Sequence, residues 1–236
     1  SELTSGSTWH AAGGFHTLNG DTNMAALQGY TIRLYKELEA ITGMSCGLHH
    51  VGGITLADTQ ERFDMLKAER AKHRYMGLDT NILSPAEVEK VTDGLVNTKG
   101  IIGALYDPLD GHLDPSGTTH AYAKAARMGG AEIVLHNRVL ETNPTKDGWE
   151  VVTEKGTVTC EHLVNAGGLW AREIGAMAGV YLPLLPMAHQ YLVTDDIPEI
   201  MEILKSGREF PHVMDPGGES YLRQEGRGLC IGFYEK

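Results

Sequence analysis

Cysteine is scarce. Cys46, Cys160 and Cys230 are the only three, widely spaced and odd in number, and no CxxC pair occurs. That excludes a disulfide framework and a zinc ribbon, and fits a reducing compartment. Positive charge is short as well: 20 Lys and Arg stand against 31 Asp and Glu, for a formal charge of −11, with no basic cluster. Nucleic acid and anionic membrane surfaces are therefore poor partners. No apolar run approaches the roughly 18 residues of a membrane span, and the nearest, Tyr181 to Met187, is broken by prolines. A complete GxGxxG is missing, as are internal repeats, low-complexity tracts and a clear linker. What remains, with 42% apolar residues in 236, is a globular chain with a sizeable core.

Periodicity gives the elements. Met24, Leu27, Leu34, Leu38 and Ile41 form a helical stripe between a cap at Asp21 or Thr22 and a stop at Gly43. Residues 47–57 alternate around Gly52-Gly53 and suit a strand or a bulged hairpin. Asp58-Thr59-Gln60-Glu61 reads as a capping-box start for a helix to about Met76, and Ser84-Pro85-Ala86-Glu87 opens a short third helix. A strand over 99–106 leads to the loop Asp107-Pro108-Leu109-Asp110-Gly111-His112-Leu113-Asp114-Pro115. Its carboxylates are explained by turns and by capping of the next helix, so a metal loop is not favoured. Further strands are expected at 132–135, around Val139, at 149–153 and 157–160, with a turn at 146–148. A buried-type strand at 162–166, the turn Gly167-Gly168 and a helix to Gly179 form a unit that presents amides to a phosphate. The last third reads as β-rich. The fold class is mixed α/β.

Histidine offers the candidate chemistry. In Ser7-Thr8-Trp9-His10-Ala11-Ala12-Gly13-Gly14, small residues let backbone amides approach a ligand and place His10 among them as a candidate nucleophile. A partly buried hydrogen-bonding histidine is the plainer alternative. His189 beside Gln190 and Tyr191 is an ordinary sheet histidine on the same terms, and Tyr221 a packed strand aromatic. Tyr221 and Arg223 share one strand face by period two. His16, the pair His49-His50, His112, His120 and His212 match no metal-ligand spacing, and no metal site is expected.

Four stretches in one order carry a resemblance: Leu3-Thr4-Ser5-Gly6-Ser7-Thr8-Trp9-His10, Asn165-Ala166-Gly167-Gly168-Leu169-Trp170, Pro186-Met187-Ala188-His189-Gln190-Tyr191 and Ser220-Tyr221-Leu222-Arg223. Over essentially its whole length the chain resembles the dimethylglycine and sarcosine dehydrogenases, folate-linked flavoproteins of the D-amino-acid-oxidase-like superfamily. The 107–115 stretch also looks like that family's connecting loop. The resemblance implies FAD tethered covalently at His10, with Ser5, Gly6, Ser7, Thr8 and Trp9 around it, Val139 beside the adenine, and Gly167, Gly168 and Trp170 lining the flavin. It places His189 and Tyr221 at the reacting amine as catalytic groups, and Arg223 on a substrate carboxylate, where a structural ion pair is the alternative. Relatives commonly read Asn-Ala-Ala-Gly at the turn; glycine at 167 loosens the backbone by at most about 1 kcal/mol.

The fold so implied is a partial FAD-binding Rossmann-like region (about 1–45 and 115–180) interleaved with an antiparallel substrate sheet (about 46–114 and 181–236). The implied reaction is oxidative demethylation of an N-methylated amino acid, with an electron-transfer flavoprotein or oxygen as acceptor. A regulatory relative, of the type that governs pyruvate dehydrogenase phosphatase, is the alternative. The absence of an initial Met and the stop just after a strand pattern lead us to expect a longer parent. Its upstream part would carry the dinucleotide loop, and its downstream part a tetrahydrofolate-binding region. The implied location is the cytoplasm in a bacterium, or the mitochondrial matrix in a eukaryote.

Overall fold

The computed structural model describes residues 2–17, 19 and 21–234. Ser1, Glu235 and Lys236, at the ends discussed above, lie outside them. The chain forms two compact units: Ser1–Ala11 with Ala123–Ala188, and Ala12–Tyr122 with His189–Lys236. Helices and strands mix throughout, as the mixed α/β reading expects.

In the larger unit β1 (Gly14–Phe15) precedes α1 (Thr22–Thr42). Asp21 caps α1 by accepting from the Asn23 and Met24 amides at 2.9 Å, and Gly43, at φ 65°, ends it. Next come β2 (Gly53–Ala57), α2 (Gln60–Tyr75), β3 (Asn81–Leu83), α3 (Pro85–Val91), β4 (Gly103–Asp107) and β5 (Gly111–His112). The reciprocal capping box forms at α3, where Ser84 and Glu87 each accept from the other's backbone. At α2 only half of the expected box exists: Thr59 accepts from the Arg62 amide, while Asp58 pairs with the Arg62 guanidinium. The helix α4 (Pro115–Met128) starts on Asp114, whose side chain accepts from the Ser116 amide.

The smaller unit carries the antiparallel meander β6 (Val139–Thr145), β7 (Gly148–Thr153) and β8 (Gly156–Cys160), then a 3-10 turn at Gly168–Trp170 running into α5 (Ala171–Met177). The chain returns to the larger unit for β9 (Gln190–Val193), α6 (Pro198–Lys205), β10 (His212–Asp215), β11 (Ser220–Glu225) and β12 (Gly228–Phe233). These complete a seven-stranded sheet in the order β3-β4-β2-β10-β11-β12-β9. The sheet is antiparallel except where β10 pairs parallel with β2, Val213 opposite Ile54.

Alternation along these strands separates two environments. Ile54, Leu56, Val213, Leu222 and Ile231 turn to one face and pack with Val88 of α3, Ile200 and Ile203 of α6, and Phe210. The neighbours His212, Tyr221 and Arg223 therefore take the other face.

Four expectations are corrected or narrowed. Residues 132–135 form no strand: the Leu135 carbonyl accepts from Lys155 Nζ at 2.8 Å and Asn137 Oδ1 from the Lys155 amide, so side chain and turn replace a ladder. Residues 162–166 form none either, because no strand among the described residues lies beside them, and Val164 stays 82% exposed. Of the strand or bulged hairpin expected over 47–57, the strand forms, but only over Gly53–Ala57, since Gly52 turns at φ 77° and His49 instead bridges to His112. Finally α6 interrupts the β-rich last third, signalled by Pro198 at its first turn and by Ile200, Ile203 and Leu204 at helical spacing.

Phe210 is fully buried in the apolar layer. Phe210→Ala is expected to cost about 3–5 kcal/mol, read as a lower urea midpoint with unchanged slope in the full-length protein.

Candidate functional site

In the smaller unit the opening motif folds as a tight turn. Thr4 sits at φ 66°, Ser5 Oγ donates to the Glu2 carbonyl at 2.9 Å, and a 3-10 turn runs through Thr8–His10 with Ser7 at its head. Trp9 and His10 are both exposed, their rings 3.6 Å apart. Gly6 packs against the Trp170 indole so closely that a Cβ there would lie 3.2 Å from the ring. The two glycine-bearing motifs, remote in sequence, thus meet. At the second one Asn165 does the organising: its Oδ1 accepts from the Gly167 amide at 3.1 Å and its Nδ2 donates to the Ala171 carbonyl at 2.8 Å. Gly168 and Trp170 bound the 3-10 turn that leads into α5. Val139, half-buried, opens β6 opposite Thr153. Just before it, residues 134–138 line a cleft of about 590 Å³ with Glu2, Leu3 and Glu154.

Exposed indoles and an exposed imidazole around a backbone with no side chain at Gly6 suit a large flat heteroaromatic group. FAD fits this donor set: hydroxyls and amides for its polar edge, Trp faces for its ring, and a free histidine nitrogen.

In the larger unit, the polar sheet face brings together Tyr221, Arg223 and residues that the sequence reading missed. Tyr221 lies across Gly232 of β12, where any Cβ would come within 2.2 Å of the phenol ring. His189, just before β9, stacks on Tyr234 at 4.4 Å, and both rings are within 6.4 Å of Tyr221. Burial raises the Tyr221 pKa, so its hydroxyl stays protonated. Arg223 is 7% exposed. Its Nε donates to the Ala12 carbonyl, and its Nη1 to the Gln224 carbonyl and Glu225, both at 2.7 Å.

Beneath these lies a buried polar layer. Thr17 donates its hydroxyl to Asp107 and its amide to Asp110 at 2.9 Å, and Asp107 also accepts from the Leu109 amide. Burial, then the Asp107 charge, pushes Asp110 well above its ordinary value, towards the protonated form. Burial lowers His112 to about 3, helped by Arg223, His49 and His212. His212 falls to about 4 through burial, with His16 and Arg223 adding to it. Both imidazoles are therefore neutral at physiological pH. His49, His112 and Glu209 also come together at the edge of this layer.

The mixed α/β fold and the meeting of the Gly6 and Trp170 turns point to an FAD-dependent oxidoreductase. The profile of the family described as "FAD dependent oxidoreductase" matches residues 1–236, and the chain belongs to that family. It is 42% identical to the mitochondrial dimethylglycine dehydrogenase of Rattus norvegicus over 236 residues, which is 100% of this chain and 27% of that protein. The mitochondrial sarcosine dehydrogenase of Homo sapiens is 35% identical over 99% of this chain and 25% of its own length. The mitochondrial pyruvate dehydrogenase phosphatase regulatory subunit of Mus musculus is 32% identical over 99% of this chain and 26% of its own. The chain thus spans about a quarter of the curated relatives it matches. Among solved structures, L-proline dehydrogenase from P. horikoshii superposes with a TM-score of 0.82 at 27% identity, over 97% of this chain and 59% of that one. No helix among the described residues is long and apolar enough to cross a membrane.

Two outcomes follow from this geometry. An unfolded chain protonates His112 and His212 near pH 6.5, whereas the fold resists until about 3 and about 4 respectively. The unfolded state binds more protons in that window, so stability to urea should fall as pH drops below about 6.5. In His212→Gln the slope should be shallower by about one proton. Gly232→Ala must displace the Tyr221 ring and should cost roughly 1–3 kcal/mol, with a changed near-ultraviolet tyrosine dichroism.

Proposed function

We infer that the parent protein oxidatively demethylates an N-methylated amino acid of the dimethylglycine or sarcosine type, using FAD tethered at His10. The observation that carries this reading is His10 itself, exposed on a fixed turn in the unit where Gly6 meets Trp170. A neutral imidazole nitrogen is nucleophilic enough to bond the electrophilic 8α carbon of a flavin, and the tether prevents cofactor loss. Ser5, Gly6, Ser7, Thr8 and Trp9 hold the cofactor near this bond, Gly167, Gly168 and Trp170 hold its ring side, and Val139 its adenine side. When bound, FAD supplies the electron sink, accepting the hydride equivalent of the N-methyl carbon and leaving an iminium that water hydrolyses to formaldehyde or that folate intercepts.

The chain's own residues prepare the amine. The reaction needs a neutral nitrogen, and His189 takes its proton on an imidazole steadied by Tyr234. Tyr221, protonated through burial, offers its hydroxyl as a hydrogen-bond donor to the substrate. Arg223 meets the substrate carboxylate through Nη2, since Nε and Nη1 serve Ala12, Gln224 and Glu225. The neutral His112 and His212 add no positive charge beside the substrate ammonium.

The acceptor in this reading is an electron-transfer flavoprotein or oxygen, and a tetrahydrofolate-binding region belongs to the longer parent. The mitochondrial relatives support a matrix location in a eukaryote, and a bacterial protein would be cytoplasmic. Similarity to the phosphatase regulatory subunit favours a second, non-catalytic reading. Acid denaturation of the full-length protein separates the two. Yellow fluorescence should stay with the precipitated protein and vanish from it in His10→Ala, while dimethylglycine or sarcosine bleaches the native flavin. Free flavin in the supernatant of the unmutated protein removes the tether, and no bleaching by either amine removes the enzyme reading.

A further inference from the structure

His49 and His112 meet as a hydrogen-bonded antiparallel pair. The His49 amide donates to the His112 carbonyl at 2.8 Å and the His112 amide to the His49 carbonyl at 3.0 Å. Side chains directly opposite in such a pair leave on the same side, and here the imidazoles stack with centroids 4.8 Å apart and planes 11° from parallel. Glu209, between α6 and β10, brings its Oε2 to 2.8 Å from His49 Nδ1. One ligand atom from each of the three lies within 4.8 Å of the others.

Two features show that this cluster is unfinished. His112 is 7% exposed, and its Nδ1 has no hydrogen-bond partner among the described residues. A buried nitrogen left so has given up water without a replacement partner and calls for a bound species. The other two members, His49 and Glu209, are open to solvent and give a guest its entry.

We propose that His49, His112 and Glu209 bind a divalent transition metal ion of the zinc type. Two imidazoles and one carboxylate are the donor set zinc accepts, with water completing its coordination. Magnesium and calcium prefer all-oxygen sites, and cuprous ion prefers thiolates. The carboxylate of Glu209 supplies negative charge, and the nearby Arg223 is offset by Glu225 at 2.7 Å. A metal lies in the plane of each ring it binds, so the stacked pair must open. His49, exposed at its ring, turns, and the proton its Nδ1 shares with Glu209 shifts to Nε2 when Nδ1 becomes the ligand.

Zinc chloride titrated calorimetrically into the full-length protein, stripped with a chelator and retaining its flavin, tests the site. One zinc per chain is expected, with its Kd rising at least tenfold in His49→Ala and in Glu209→Gln and unchanged in the exposed control His162→Ala. Both test variants alter exposed side chains, and metal-free melting curves matching the unmutated protein verify their fold. An unmutated protein that binds no zinc overturns the proposal, as does a Kd that stays within twofold in either test variant.

Discussion

A guanidinium taken out of water needs acceptors for its N–H groups, and Arg223 finds them for two of its three nitrogens, tying β11 to the backbone at Ala12. Its Nε reaches the Ala12 carbonyl and its Nη1 the Gln224 carbonyl and Glu225. The strand that carries Tyr221 thus also holds the backbone at Ala12, at the start of the larger unit's first segment. A lysine at 223 would keep the charge but lose the planar fork, and with it the simultaneous hold on two carbonyls.

Around this anchor, the polar face of the sheet is electrically quiet. Burial holds His112 and His212 neutral and pushes Asp110 towards the protonated form, leaving Asp107 as the buried acceptor for Thr17. Groups that would be charged in water are instead donors and acceptors in a fixed order.

Local signals were legible in the sequence wherever one residue decides one local bond. Asp21, Ser84 and Asp114 each cap a helix where a short polar side chain precedes an apolar stripe. Strand readings failed where pairing decides: 132–135 and 162–166 have strand-like composition but no neighbour among the described residues, and composition carries no information about a partner. Within the candidate site, Tyr221 and Arg223 share a face as period two requires. Tyr234, Gly232, Thr17 and Glu209 were silent because their meaning is purely spatial. The same holds for His49 and His112, which no spacing rule links and which only the bridge between their backbones brings together.

The parallel pairing of β2 with β10 joins the two ends of the chain across everything that lies between, including all of 123–188. Loop-closure entropy must be met before that contact returns any stabilisation, which makes the central sheet a late and slow event in folding. Until β10 emerges from the ribosome, β2 presents an open edge. Synthesis of this chain is therefore a period of exposure to aggregation, and chaperone protection during translation should matter more to its yield than the final stability does.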